Sequence, residues 1–297
     1  MTERPRLTPA IADVRRAVRE GFEAAGLVAG DTVLVACSGG ADSLALAAAT
    51  AFEAPRYATG LKAGAVVIDH AMQEGSGLVA AETAHKLAAL GLYPVEIRTV
   101  VVGTDGGPEA AARAARYDAI DKVADETGAN AILLGHTLND QAETVLMGLA
   151  RGSGAKSLNG MAKVSGLYLR PLLGIKRETT EAFCADSGLE PWHDPMNQDE
   201  AYTRVRVRQQ ILPLLDSELG PGVVEALART AEQLQEDEAV LSDLAKQYFD
   251  ECVKIRATAI EIPVDEFRAM PLAIRHRVLA LALQTMKAPE FARVHIL

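Results

Sequence analysis

Cys37-Ser38-Gly39-Gly40-Ala41-Asp42-Ser43 lies between two segments of different periodicity. Before it, Thr32 and the apolar run 33–36 read as a buried strand; after it, Leu44-Ala45-Leu46-Ala47-Ala48-Ala49 reads as a helix. A strand, a glycine turn and a helix start make an anion site, because the turn's N–H groups and the positive helix end point into one small volume. Phosphate groups fit there. A Walker loop would add a Lys to reach the outer phosphates. This loop has no Lys and carries Asp42, which repels phosphate unless a divalent cation lies between them. Mg2+ suits that position, since it binds through one or two carboxylates together with phosphate oxygens. The plainer alternative is a strand–helix turn whose two glycines serve only tight geometry.

The rhythm continues on both sides of the loop. Thr8 caps and Pro9 opens a helix over 8–25. Strands are expected at 31–36, 65–68, 95–101 and 131–134, with helices near 42–52, 77–90 and 109–127. This alternation predicts an α/β fold: a parallel, doubly wound, Rossmann-like sheet covered on both faces. Ligands of such sheets bind at the carboxyl ends of the strands. The loop 38–43, the pair Asp69-His70 and the pair Gly135-His136 all fall at such ends.

After about residue 150 the rhythm stops. Residues 151–154 read as a loop, 164–169 as a short hairpin, 175–187 as a helix ending at Gly188, and 191–199 as a loop. Gly220-Pro221-Gly222 is the best hinge, so 1–217 is expected to form the α/β domain and 222–297 a small helical domain. The apolar end Val294-His295-Ile296-Leu297 would be odd for a solvated terminus, so the natural chain is expected to continue beyond it.

Composition narrows the class. Hydrophobic residues make up 49% of the 297, ample for a core, yet no apolar run reaches a membrane span and the start lacks a signal-peptide h-region. Three scattered cysteines, Cys37, Cys184 and Cys252, argue for a reducing compartment and against a disulfide framework or a four-cysteine metal site. The expectation is a cytoplasmic enzyme with no membrane partner. A net charge of −10 opposes indiscriminate nucleic-acid binding but allows a local basic patch.

The segment Gly135-His136-Thr137-Leu138-Asn139-Asp140-Gln141-Ala142-Glu143-Thr144 runs from a strand end into a helix. Thr137 can cap it, and Asp140 and Glu143 share a face at i and i+3. Acids in a first turn also simply answer the helix dipole. Arg113 and Arg116, again i and i+3, can face one anion together or form a solvated face. Arg151, Lys156, Arg204, Arg206 and Arg208 concentrate positive charge, with Lys176 and Arg177 between them in sequence. These suit nucleic-acid phosphates, or pair with carboxylates of the C-terminal helices.

Ser-Gly-Gly-x-Asp-Ser after the first strand resembles the loop of the N-type ATP pyrophosphatases, the PP-loop enzymes. The segment from Gly135 through Thr144, then 149–154 and 158–161, is similar in order and spacing to the tRNA(Ile)-lysidine synthase family. That family usually has Asp-Asp-Gln where this chain has Asn139-Asp140-Gln141. Arg113 to Tyr117, Asp194-Pro195-Met196-Asn197 and the Arg-x-Arg run after Tyr202 resemble it too. Asp69-His70 matches an Asp-His pair that usually continues toward Leu-Arg, whereas Ala71-Met72-Gln73 follows here. The resemblance spans about residues 30–215.

It implies a carbon–nitrogen ligase. ATP would adenylate O2 of the wobble cytidine in the CAU anticodon of tRNA(Ile), and free L-lysine would displace AMP from C2. Under that reading Ser38, Gly39, Gly40, Asp42, Ser43, Asp69, His70, Gly135 and His136 bind the nucleotide, and Asp42 and Asp140 hold Mg2+. Asp42, Asp140, Arg113 and Arg116 carry catalysis, and Arg151, Lys156, Arg204, Arg206 and Arg208 contact the tRNA. A homodimer is left open. The alternatives are a tRNA thiolase of the same superfamily, which usually needs paired cysteines, and a nucleotide-binding module without catalysis, which would keep the glycines and lose the acids.

Overall fold

The computed structural model describes residues 7–69, 71, 75–100, 108–152, 155–256 and 259–286. The chain divides into two compact units, Met1–Glu143 with Met161–Glu225, and Thr144–Gly160 with Ala226–Leu297. The segment 144–160 thus groups with the C-terminal part, a membership that sequence order does not reveal.

In the first unit, α1 (Pro9–Ala24) starts under a cap in which Thr8 Oγ1 accepts from Ile11 N, with proline at the first turn. The central strand β1 (Thr32–Ala36) leads through the loop into α2 (Ala41–Glu53). Next come β2 (Lys62–Asp69), α3 (Ser76–Ala89), β3 (Val95–Thr99), α4 (Pro108–Thr127), β4 (Ala131–Leu134) and α5 (Leu138–Arg151). After α6 (Ala155–Leu158), of the second unit, β5 (Val164–Ser165) and β6 (Tyr168–Leu169) form the expected hairpin. It does more than expected, because β6 also pairs parallel with β4. α7 (Arg177–Asp186) follows, then α8 (Thr203–Arg206), which passes through a π-turn at Val207–Ile211 into α9 (Leu212–Leu219).

The six strands run in the order β3-β2-β1-β4-β6-β5, all pairs parallel except β5–β6. Two readings shift. β2 begins at Lys62, because Lys62, Ala63 and Gly64 pair with β1 although their side chains show no apolar run. β3 ends at Thr99, and part of the expected extension lies outside the described residues.

Both faces of the central strands β1 and β4 are buried, as a parallel sheet requires. Val33 and Val35 pack with Val18 and Phe22 of α1, Leu44 and Leu46 of α2, and Phe183 of α7. Leu34, on the opposite pleat, packs with Ile120 and Val123 of α4. Chain order in the sheet reverses between β1 and β4, which creates the crevice where such folds bind ligands.

The second unit contains α10 (Val223–Cys252) from Ala226 onward, a two-stranded antiparallel ladder of β7 (Lys254–Ile255) and β8 (Ile260–Glu261), α11 (Val264–Ala269) and α12 (Leu272–Thr285). Its core joins Ala245 and Phe249 to Met270, Ile274, Val278 and Ala282. It is helical as expected, with the small ladder added.

Candidate active site

The loop after β1 is stiffened by its own side chains. Ser43 Oγ accepts from Ser38 N at 3.2 Å and donates to Gly40 O at 3.0 Å. Trp192 N donates to Gly39 O at 2.9 Å, tying the loop to the segment 191–199. Gly39 has φ +86, and a Cβ there would lie 2.7 Å from Thr83 Oγ1, so both conformation and space demand glycine. Ser38 N–H is thus spent on loop shape. The first N–H groups of α2, which no helical carbonyl can reach, are the donors left to face an anion.

The end of β4 comes against this loop. A Cβ on Gly135 would lie 3.0 Å from Ser43 N and Ser43 Cα, so glycine lets β4 approach the first turn of α2. The two strand ends, α4 and α7 line a pocket of about 940 Å3, whose lining includes Ser38, Gly40, Asp42, Ser43, Asp69, Arg113, Arg116, Gly135, His136 and Asp140. The structure therefore brings together most of the residues expected to handle the nucleotide. Gly39 is in the loop itself. His70 lies outside the described residues. Asp69 Oδ1 accepts from Ala71 N at 2.9 Å and shapes its own turn.

Asp42 and Asp140 meet through an arginine absent from the expected site. Arg177, the first residue of α7, places Nε 3.3 Å from Asp42 Oδ2, Nη2 3.2 Å from Asp140 Oδ1 and Nη1 3.6 Å from Glu143 Oε1. Its backbone N donates to Asn139 Oδ1 at 3.0 Å, which gives the residue at the family's usual first Asp a structural use. Thr180, one turn further along α7, donates to Asp42 Oδ1.

The two aspartates are tuned in opposite directions. Burial pushes the Asp42 carboxyl up, and Thr180 and Arg177 offset only part of that. Burial works the same way on Asp140. There Arg177, Arg204 and both donors of Thr137 more than offset it, holding the group at about 2. Thr137 supplies N at 2.9 Å and Oγ1 at 2.8 Å, so Asp140 caps the start of α5 from within.

Glu143 is fully buried and receives Arg204 Nε and Arg208 Nε, each at 2.7 Å. Arg204 and Arg208 were expected at tRNA phosphates, or on carboxylates of the C-terminal helices. In the free structure they are held by Asp140 and Glu143 of α5 instead, because a buried carboxylate requires a paired cation. Arg204 is on α8 and Arg208 is within the π-turn that follows it, a feature frequent at functional sites. Arg206 points elsewhere: it donates to Glu200 O, to Ala201 O at 2.9 Å and to Thr203 Oγ1 at 3.0 Å, closing its own turn. Arg151 is exposed at the end of α5, and the Lys156 side chain lies outside the described residues.

On α4, Arg113 lies over the Tyr117 ring at 4.9 Å and donates to its hydroxyl at 3.2 Å. Arg116 is half-buried, and burial lowers its pKa. Burial, with Arg170, Arg204 and Arg116 adding to it, lowers His136 to about 4 against the pull of Asp140. Its imidazole is neutral at pH 7, and its buried Nδ1 has no hydrogen-bond partner among the described residues. Burial also raises both thiols in the pocket lining, Cys37 and Cys184, the latter to about 12.

The sequence of the PP-loop domain family matches residues 12–215. Two tRNA(Ile)-lysidine synthases are similar along most of their length. That of Leifsonia xyli subsp. xyli is 55% identical, over 91% of this chain and 81% of the relative. That of Thermobifida fusca is 54% identical, over 91% and 82%. The chain belongs to the tRNA(Ile)-lysidine synthase family. Among solved structures, the U34-tRNA thiolase NcsA from Methanococcus maripaludis superposes with a TM-score of 0.61 at 19% identity, over 76% of this chain and 80% of that one. That likeness concerns the fold. For a lysidine synthase family member, Arg177 and Thr180 stand out as missed, while Glu143 was read beside Asp140 but given no role in the site. The last two acids of the cluster were visible at i and i+3 in the sequence; no sequence signal pointed to Arg177.

Proposed function

We propose that this protein uses ATP to ligate lysine to C2 of the wobble cytidine in the CAU anticodon of tRNA(Ile), through an O2-adenylated cytidine, releasing AMP and pyrophosphate. One observation carries the reading: in a chain more than half identical to two lysidine synthases, the loop bearing Asp42 and the helix start bearing Asp140 open into one pocket at the switch point of the sheet.

The first turn of α2 offers N–H donors and the positive helix end to the β and γ phosphates. Asp42 and Asp140 fit a Mg2+ ion, since both carboxylates already converge on one cation, Arg177. Two carboxylates are enough for an ion whose remaining ligands are phosphate oxygens and water. Bound there, Mg2+ would offset charge developing on the phosphates as the α–β bond breaks. Arg116 and Arg113, which line the same pocket, neutralise the α-phosphate or orient the cytidine. An anticodon loop presents its base unstacked, so little energy is needed to bring it in.

Attack by lysine requires its amine near the same centre, and acidic groups near the pocket attract the lysine ammonium before transfer. Neutral His136 with its open Nδ1 adds a hydrogen-bonding group that does not compete for phosphate. The tRNA contacts proposed are Arg151, which is exposed, and Lys156. The thiol-dependent alternative fares worse, because both pocket thiols are held protonated and are poor nucleophiles. Among the described residues no helix is long and apolar enough to cross a membrane. The reading is tested by pyrophosphate release from ATP with and without an unmodified CAU-anticodon tRNA(Ile). Release that depends on this tRNA supports it; no release in its presence refutes it.

A further inference from the structure

We propose that Arg177 is a resident counter-ion. In the free enzyme it fills the cation position between Asp42 and Asp140; when Mg2+ arrives with ATP, it exchanges partners and becomes a ligand of the triphosphate. The proposal rests on the ATP-dependent reading above and adds a residue to it.

The distances separate two kinds of arginine in one cluster. Arg204 and Arg208 each reach Glu143 at 2.7 Å, the length of a strong charge-assisted hydrogen bond. Arg177 contacts three carboxylates at 3.3, 3.2 and 3.6 Å, all long for such bonds. A guanidinium shared at such lengths among three acids can trade one or two of them for another anion when a second cation takes their charge. Arg204 and Arg208 are fixtures; Arg177 is free to exchange.

Charge requires something at this position. Asp42, Asp140 and Glu143 bring three carboxylates together, and without nucleotide only side chains can offset them. Removing one partner of such a group leaves a buried charge uncompensated, which is strongly unfavourable. Arg177 supplies the third guanidinium. With Mg2+ between Asp42 and Asp140 it would face a divalent ion across the same oxygens, a like-charge contact that drives it away. A triphosphate at the first turn of α2, which starts directly after Gly40, would offer it a new anion. Arg177 lines the same pocket and keeps 19% of its side chain exposed, enough to turn without unfolding α7. Its backbone N remains anchored to Asn139 throughout.

The consequence is ordered loading. While Arg177 occupies the position, Mg2+ alone gains little by entering; only Mg2+ carrying the polyphosphate offers the arginine a new partner. Metal and nucleotide therefore bind with positive coupling, each raising the affinity for the other.

The test uses the full chain without nucleotide, with Mn2+ as probe and free Mn2+ followed by its paramagnetic signal. Arg177→Gln is expected to bind Mn2+ roughly tenfold or more tightly than the unaltered protein, because the competing charge is gone, and to bind α,β-methylene-ATP more weakly. Arg177→Lys, which retains the charge, is expected to keep the weak Mn2+ affinity. Folded Arg177→Gln protein with unchanged Mn2+ affinity would overturn the exchange. If that variant does not fold, the Arg177 side-chain N–H resonance of the unaltered protein, assigned by its loss in Arg177→Lys, decides. It should move with Mg2+ and α,β-methylene-ATP together and stay with Mg2+ alone; no movement with the pair overturns the proposal. tRNA-dependent pyrophosphate release by the unaltered protein judges the reaction separately, so the two ideas fail independently.

Discussion

Asp140→Asn removes a carboxylate that the fold holds at about 2 against an ordinary value of 3.8. That gap corresponds to about 2 kcal/mol of preferential stabilisation of the charged form. The group is buried at 7% exposure, so solvent does not screen the figure away. The sign follows from the direction. A depressed carboxyl contributes fully above its unfolded value near 3.8 and loses that contribution as pH falls through about 2. At pH 7 the variant should therefore be destabilised by about 2 kcal/mol, a urea midpoint lower by roughly 1 M for a slope of 2–3 kcal/mol per M. The deficit should hold from pH 8 to 5 and shrink below pH 4. Trp192, the single tryptophan, is bonded to the phosphate-binding loop and reports on this unit by its fluorescence during urea titration. An unchanged midpoint at pH 7, or a deficit that persists undiminished at pH 3, would refute the account of how Asp140 is held.

Asp42→Asn should do the reverse for stability, because burial raises that carboxyl: the free protein should be no less stable at pH 7, while tRNA-dependent pyrophosphate release falls by about a hundredfold or more. A destabilised variant, or one with near-normal release, would contradict this. Arg116→Ala, and less so Arg113→Ala, should slow lysine transfer to tRNA more than they weaken ATP binding, as read by transfer rate against ATP titration. Gly135→Ala should weaken ATP binding, since its Cβ meets backbone of Ser43 at 3.0 Å and neither chain can move alone; equilibrium binding of α,β-methylene-ATP checks it. Replacing Arg204 and Arg208 together by Ala should cost about 3 kcal/mol or more in urea unfolding, because Glu143 stays buried with its two shortest partners gone.

The parts legible in the sequence are those decided locally. The strand, the Gly39–Gly40 turn and the helix start announce themselves by a change of period within about a dozen residues, and Asp42 and Asp140 were visible as acids in first turns. What escaped depends on distant apposition. Arg177 acts on Asp42 across 135 positions, and nothing near residue 177 marks it as different from the exposed cations around it. Arg204 and Arg208 read as a basic stripe because a sequence shows charges but not which acids are buried beside them. The start of β2 was hidden for a similar reason: Gly64 weakens a strand pattern, yet a Cβ there would lie 2.7 Å from Pro94 O, so close packing of β2 under that carbonyl requires glycine. β6, two residues long, reads as half a hairpin until β4 is beside it.

The central claim is tested most directly by incubating the protein with ATP, Mg2+, labelled lysine and unmodified CAU-anticodon tRNA(Ile), with tRNA(Met) as control. The account predicts that label enters tRNA(Ile) in step with AMP and pyrophosphate, and that tRNA(Met) gains little. ATP cleavage without lysine incorporation, or equal labelling of both tRNAs, would contradict it.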